Sequence, residues 1–207
     1  MLKILGRASS INVRKVLWTC VELGRPFERE DWGVGFRPTS DDSFRALNPN
    51  ALVPVIVDEG FVLWESNTIC RWLAAEHGRS DLLPSAPRER ACVERWMDWQ
   101  LGDLNNAWRP AFMGLVRRSP RHQDAAAIAD STVEWNRLMA ILDAQLGSGG
   151  PFVCGTTFTL ADIVLGLSAH RWYATPIDRP PLPRLRAWYE CVTARPAFSS
   201  QGCGEHP

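Results

Sequence analysis

Four things are scarce in this chain of 207 residues. Net charge is the first: Lys+Arg and Asp+Glu both count 23, so no excess of either sign suits a nucleic acid or an anionic membrane surface. Long apolar runs are the second: no stretch approaches a spanning helix, and Lys3 and Arg7 interrupt Met1–Ala8, so neither a membrane span nor a cleaved leader is expected. Metal-ligand spacing is the third: His77, His122, His170 and His206 lie far apart, and no metal is expected. Close cysteine pairs are the fourth: Cys20, Cys70, Cys92, Cys154, Cys191 and Cys203 are scattered, as reduced thiols of a cytosolic protein would be. A glycine-rich phosphate loop is also missing, and so is aromatic–basic interleaving of the nucleic-acid type.

What is present is enough chain for one large domain or two small ones, with ten tryptophans to fill the interior. Leu2–Leu5 reads as a strand and Gly6–Ile11 as a loop. Asn12 is expected to cap a helix from Val13 to Leu23, where Val13, Val16, Leu17, Cys20 and Val21 follow helical spacing and Gly24 ends the run. Phe27–Asp31 reads as a second strand, parallel to the first. Residues 32–42 read as loop, and Phe44–Asn48 as a single helical turn.

Val53-Pro54 is followed by the β-branched run Val55-Ile56-Val57, a strand signal. Asp58-Glu59-Gly60 turns the chain, and Phe61–Trp64 returns as the second arm of a hairpin. Glu65-Ser66 then opens a helix to Glu76, setting a side-chain acceptor beside free backbone N–H groups, a seat for the charged ends of an amino acid. This combination resembles the glutathione-binding half of the cytosolic glutathione transferases. The resemblance implies that Val53, before a cis-Pro54, pairs with the cysteine of glutathione, and that Glu65 and Ser66 hold its γ-glutamyl end. An ordinary hairpin followed by a serine cap is the plainer reading. At the glycyl end stand Leu52, where the family often has a long polar residue, and Arg37 as the group to meet the carboxylate. Ala51 stands where the family often has glycine.

The order of elements resembles a thioredoxin-like domain, yet Ala8-Ser9-Ser10-Ile11 stands where a redox version would carry Cys-x-x-Cys. Bound glutathione would supply the missing sulfur. A free thiol titrates near ~8.5, and lowering that by roughly two units takes about 2.7 kcal/mol of preference for the anion. A hydroxyl donor plus a helix N-terminus can supply that much. The run Gly6–Val16 resembles the serine-dependent branch of the family, of theta, zeta or related bacterial type, and Tyr173 and Tyr189 lie far from this strand end. Ser10 is the first choice of thiolate donor, Ser9 the second and the Asn12 amide the third.

Residues 80–87 read as a linker between a glutathione-binding domain, 1–79, and an all-helical domain, 88–207. A long amphipathic helix runs through Val93, Trp96, Met97, Leu101, Leu104, Trp108, Phe112 and Leu115, and Pro110 is expected to kink it one turn upstream. A second helix spans Gln123–Leu146. Thr159 and Asp162 form a capping pair, with Phe158 stapled to Ile163, before a helix to Trp172. A last helix covers Leu182–Arg195, and the tail from Ser199 is expected to fray. Arg109, Met113 and Arg117, four residues apart, could meet a small anionic electrophile, or form an ordinary basic solvent face.

The fold class expected is therefore an α/β thioredoxin-like domain followed by an all-α domain. The resemblance implies a glutathione transferase, with glutathione as co-substrate, a small electrophile as partner, a homodimeric state and a cytoplasmic detoxifying role. The alternatives are a glutathione-dependent disulfide reductase or isomerase, or a non-catalytic binding module.

Overall fold

The computed structural model of the chain describes residues 1–202. Cys203 and His206, read above as a reduced thiol and a non-ligand, lie outside the described residues. Among the described residues two compact units form: Met1–Pro84 with residues 195–202, and Ser85–Ala194. The expected domain limits shift accordingly. Residues 87 onward are already helix, because Pro87 takes a first-turn position whose N–H a helix does not use. The segment from Arg195 leaves the helical unit because Arg195 and Phe198 are held by the first helix.

The first unit runs β1 (Leu2–Leu5), α1 (Ile11–Leu23), β2 (Phe27–Glu30), α2 (Asp42–Arg45), β3 (Val55–Asp58), β4 (Phe61–Trp64) and α3 (Ser66–Glu76). Its sheet has the order β2-β1-β3-β4, with β1 and β2 parallel and the other pairs antiparallel. The hairpin turns at Glu59 and Gly60, both with positive φ (50° and 91°), as a tight two-residue turn requires. α1 buries Val13, Val16, Leu17, Trp18 and Cys20 and packs on α3. The helical turn expected at Phe44–Asn48 starts earlier, at Asp42, because Asp41 serves as its N-cap. Glu22 accepts both guanidinium bonds of Arg195 (2.8 and 2.6 Å) and one from the Trp18 indole (2.9 Å), while the Phe198 ring meets Trp18 edge-on at 5.2 Å. Phe198–Gly202 is thereby a packed π-helical turn, not the frayed tail expected from Ser199.

The second unit holds α4 (Pro87–Trp99), a π-helical stretch (Gln100–Leu104), α5 (Asn105–Leu115), α6 (Ala125–Gln145), α7 (Leu160–Ala174) and α8 (Pro183–Thr193). The helix containing Pro110 is opened in a specific way. Ser131 of α6 donates to the Ala107 carbonyl (2.5 Å) and accepts from the Ala111 N–H (3.1 Å), so its hydroxyl sits inside the ladder beside the proline. The other departure from α geometry falls at Gln100–Leu104, further upstream than one turn. α6 starts at Ala125 because the Asp124 carboxylate accepts from Ala126 and Ala127. The Thr159–Asp162 capping box forms, and α7 behind it is buried on nearly every face. Asp162 also accepts from the Val153 N–H (3.0 Å) and the Trp188 indole (2.9 Å). Burial pushes its carboxyl above the ordinary range while these donors pull it back.

Candidate active site

Three chain segments of the first unit carry the expected glutathione residues: the turn after β1, the loop before β3 and the start of α3. In the first, helix α1 begins at Ile11, not Val13, because the Ser10 carbonyl already accepts from the Arg14 N–H at 2.9 Å. Ser10 is therefore the N-cap residue and Asn12, expected as the cap, is the second helical residue. The Ser10 hydroxyl makes no capping bond and has no partner among the described residues, so it stands unengaged at the positive end of a 13-residue helix. Ser9 is part-buried and already interacts with another group. Asn12 is part-buried, and its Oδ1 is buried without a partner among the described residues. Buried Arg14 ties the turn to the helix, its Nε donating to the Ala8 carbonyl at 2.7 Å.

Gly6 joins the first segment to the second. A Cβ there would lie 2.5 Å from Val13 Cγ2 and 3.1 Å from Val53 Cβ, and its φ of 149° disfavours any side chain. Only a bare residue lets the end of β1 pass between α1 and Val53.

The loop before β3 is organised by Asn48, which is 2% exposed. Its Nδ2 donates to the Leu52 carbonyl (2.8 Å), and its Oδ1 accepts from the Asn50 N–H (3.0 Å) and the Asn50 amide (3.1 Å). Within this loop Ala51 has φ 54°, so the left-handed conformation that suits glycine is kept with an alanine in place. The Val53-Pro54 bond is cis. Val53 packs against Leu5, Trp32, Phe44 and Val55, yet lies outside both ladders of β3. Its main-chain N–H and carbonyl have no partner among the described residues. Leu52 projects, 63% exposed.

At α3, Glu65 adopts φ 73° and ψ 106°, a conformation costing a non-glycine residue on the order of 1–3 kcal/mol. Its carbonyl accepts from the Ile69 N–H at 2.9 Å, which leaves the Ser66 and Thr68 N–H groups as orphans of the first turn. Ser66 is buried, and its hydroxyl has no partner among the described residues. Next to it, Asn67 accepts from Lys15, a fully buried lysine of α1, at 3.1 Å. That cross-brace fixes α3 to α1, and nothing in the local pattern around Lys15 announces it.

Arg37 has partners in its own loop and at the end of β2: its guanidinium lies 4.3 Å over the Trp32 ring and 3.7 Å from Glu30. In the helical unit Arg109 is exposed and Met113 part-buried on α5, while Arg117 falls past the helix end and turns its guanidinium over Phe112 at 5.4 Å. The three do not form the single helical face expected of them, because the helix stops at Leu115. Arg171 of α7, not foreseen, is buried with its guanidinium 4.1 Å from the Phe112 ring centre and 4.4 Å from that of Trp108. Cys20 and Cys70 are buried; desolvation pushes their thiols up to about 12 and about 11, which makes them inert. Among the described residues no group of three His, Cys, Asp or Glu could hold a metal ion, and no helix is long and apolar enough to cross a membrane.

Residues 9–76 match the family model described as glutathione S-transferase, N-terminal domain, and residues 125–191 match the corresponding C-terminal domain. The chain is 41% identical over 199 residues to glutathione S-transferase GstB of Escherichia coli (strain K12), covering 95% of each. It is 32% identical over 208 residues to glutathione S-transferase 3 of Zea mays, covering 95% of this chain and 91% of that one. Among solved structures it matches the theta class glutathione S-transferase of Xanthomonas axonopodis pv. citri with glutathione bound. That match has a TM-score of 0.92 at 40% identity, covering 98% of this chain and 97% of the other.

Proposed function

The chain belongs to the glutathione S-transferase family and is a transferase acting with glutathione; from that premise we propose how its own residues do the work and on what. The cysteine of glutathione pairs with the free main chain of Val53, beside Pro54. Glu65 and the N-terminus of α3, with the Ser66 hydroxyl, take the γ-glutamyl end. Leu52 borders the glycyl end, and Arg37 reaches its carboxylate by leaving Glu30, an exposed pair at 3.7 Å that costs little to break.

Ser10 is the principal thiolate donor. The observation that carries this is a hydroxyl left unengaged at the N-cap of α1, the position where a helix favours an anion. A charge-assisted bond contributes about 1.5–3 kcal/mol and the helix end about 0.3–1, together enough for a two-unit fall in thiol pKa. Ser10 keeps its own proton throughout. The thiolate then attacks an electrophilic carbon; a C–S bond forms, the leaving group departs with the electron pair, and glutathione remains on the product. The electrophile is a small molecule. Arg109 and Met113 supply contacts to it from α5, and Arg117, drawn back onto Phe112, contributes less.

Against the zeta-type isomerase reading, whose serine pair is usually followed by a cysteine, buried Ile11 stands at that position. A homodimer in the cytoplasm with a detoxifying role is the working state. Phe61 and Trp64, 46% and 36% exposed on edge strand β4, support association with a second copy. Ser10→Ala tests the donor assignment: glutathione still binds, its thiol pKa returns toward the free value, and turnover with a chromogenic aryl halide falls about fiftyfold at pH 6.5, as the thiolate fraction does. Retention of a low thiol pKa in Ser10→Ala, with loss in Ser9→Ala, overturns it.

A further inference from the structure

Cys92 and Cys154 are 62 residues apart in sequence and meet in the helical unit, where the Cys154 Sγ lies 3.5 Å from the Cys92 carbonyl oxygen. The length of a peptide carbonyl then puts that sulfur no farther than about 6 Å from the Cys92 Cα. Both thiols are free; Cys92, on α4, is exposed, and Cys154 is part-buried in the turn before α7. This is a different situation from Cys20 and Cys70, which no solvent-borne reagent reaches. We propose that Cys92 and Cys154 are a modification site: a thiol pair that closes to a disulfide by exchange with glutathione disulfide. The proposal does not depend on the assignment of Ser10.

The chemistry runs in two steps. Cys92 loses its proton to water and attacks one sulfur of glutathione disulfide; that S–S bond breaks, and one glutathione leaves as a thiolate that takes up a proton. Cys154 then loses its proton and attacks the Cys92 sulfur, releasing the second glutathione, which is protonated in turn. Two protein thiols are oxidised and one disulfide is reduced to two thiols. Exposure gives Cys92 the first step. The second is the slow one, because burial, then Asp162, push the Cys154 thiol up to about 12, against the opposing Thr159 hydroxyl and Arg95. The neighbouring Cys92 charge also raises it, and that contribution disappears once Cys92 is in mixed disulfide. Closure therefore accelerates about tenfold per pH unit below that value, as the thiolate fraction does. The bond, once made, ties α4 to the turn whose Val153 N–H is already held by Asp162.

The test uses the full chain, incubated with glutathione disulfide at pH 8, alkylated, and read by intact mass and peptide mapping. Cys191 is exposed as well, so any glutathionyl group it carries is assigned by the peptide map; at Cys92 and Cys154 the expected wild-type product has lost two hydrogens and yields one cross-linked peptide pair joining them. Cys154→Ser, with Cys154→Ala as a second variant, stops with one glutathionyl group on Cys92. Cys92→Ser leaves Cys154 untouched. The proposal is overturned if the wild type stops at the mixed disulfide, if neither thiol reacts, or if Cys154 is modified without Cys92.

Discussion

Asn48 offers a test that separates two halves of one side chain. Replacing it with aspartate keeps an oxygen to accept from the Asn50 N–H but removes the donor to the Leu52 carbonyl, and sets a carboxylate against that oxygen instead. Asn48→Ala removes all three bonds. Each part-buried group left unsatisfied costs about 1–3 kcal/mol, at the low end here because Asn50 and Leu52 face solvent. A loss of about 2 kcal/mol in the loop that carries Val53 shifts its equilibrium against the binding-competent form roughly thirtyfold, which sets the most that apparent glutathione affinity can fall. Weaker glutathione binding, up to that limit, is therefore expected in both variants, with Asn48→Asp at least as impaired as Asn48→Ala. The assay is calorimetric titration with glutathione, beside urea unfolding to show that each variant is folded. Wild-type affinity in Asn48→Asp refutes the reasoning, since it would mean that the bond to Leu52 does not hold the Val53 main chain in place.

Three other outcomes follow from particular residues. Ala51→Gly relieves a left-handed alanine and is expected to raise stability by about 0.5–1 kcal/mol, after the entropy a glycine adds to the unfolded chain; a fall in urea midpoint contradicts it. Gly6→Ala drives a Cβ into Val13 and toward Val53, so glutathione KM should rise severalfold more than kcat falls, and equal effects on both argue against the contact. At Glu22, burial pushes the carboxyl up but the Arg195 and Trp18 donors and the Arg195 and Arg79 charges outweigh it, so its pKa lies below the ordinary range. A depressed folded pKa gives stability that is present above the unfolded value, about 4.3, and lost as pH falls through the folded one. Glu22→Gln should flatten unfolding free energy across that acid window, and an unchanged slope would show that the Arg195 latch contributes nothing there.

What the sequence made legible was local. The hairpin could be read because Glu59-Gly60 permits one tight turn, and the capping box because Thr159 and Asp162 are three residues apart. The fold class and family followed from such pieces taken together. The helix start was misread by two residues because Ser10 and Asn12 are both good caps, and only the carbonyl that receives the first bond distinguishes them. The interactions that escaped are those made by distant residues: Ser131 inside the Pro110 ladder, Lys15 on Asn67, Arg195 on Glu22, Arg171 on Phe112 and Cys154 beside Cys92. Arg117 was misplaced for a related reason, since helical spacing carries meaning only while the helix lasts.

The most direct measurement is the thiolate absorbance of bound glutathione titrated against pH, in the wild type and in Ser10→Ala. The account predicts a thiol pKa near ~6.5 in the first and close to ~8.5 in the second, with the peptide bound in both. An ordinary thiol pKa in the wild type, or a depressed one that survives in Ser10→Ala, would contradict the assignment of Ser10 as the group that makes the sulfur an anion.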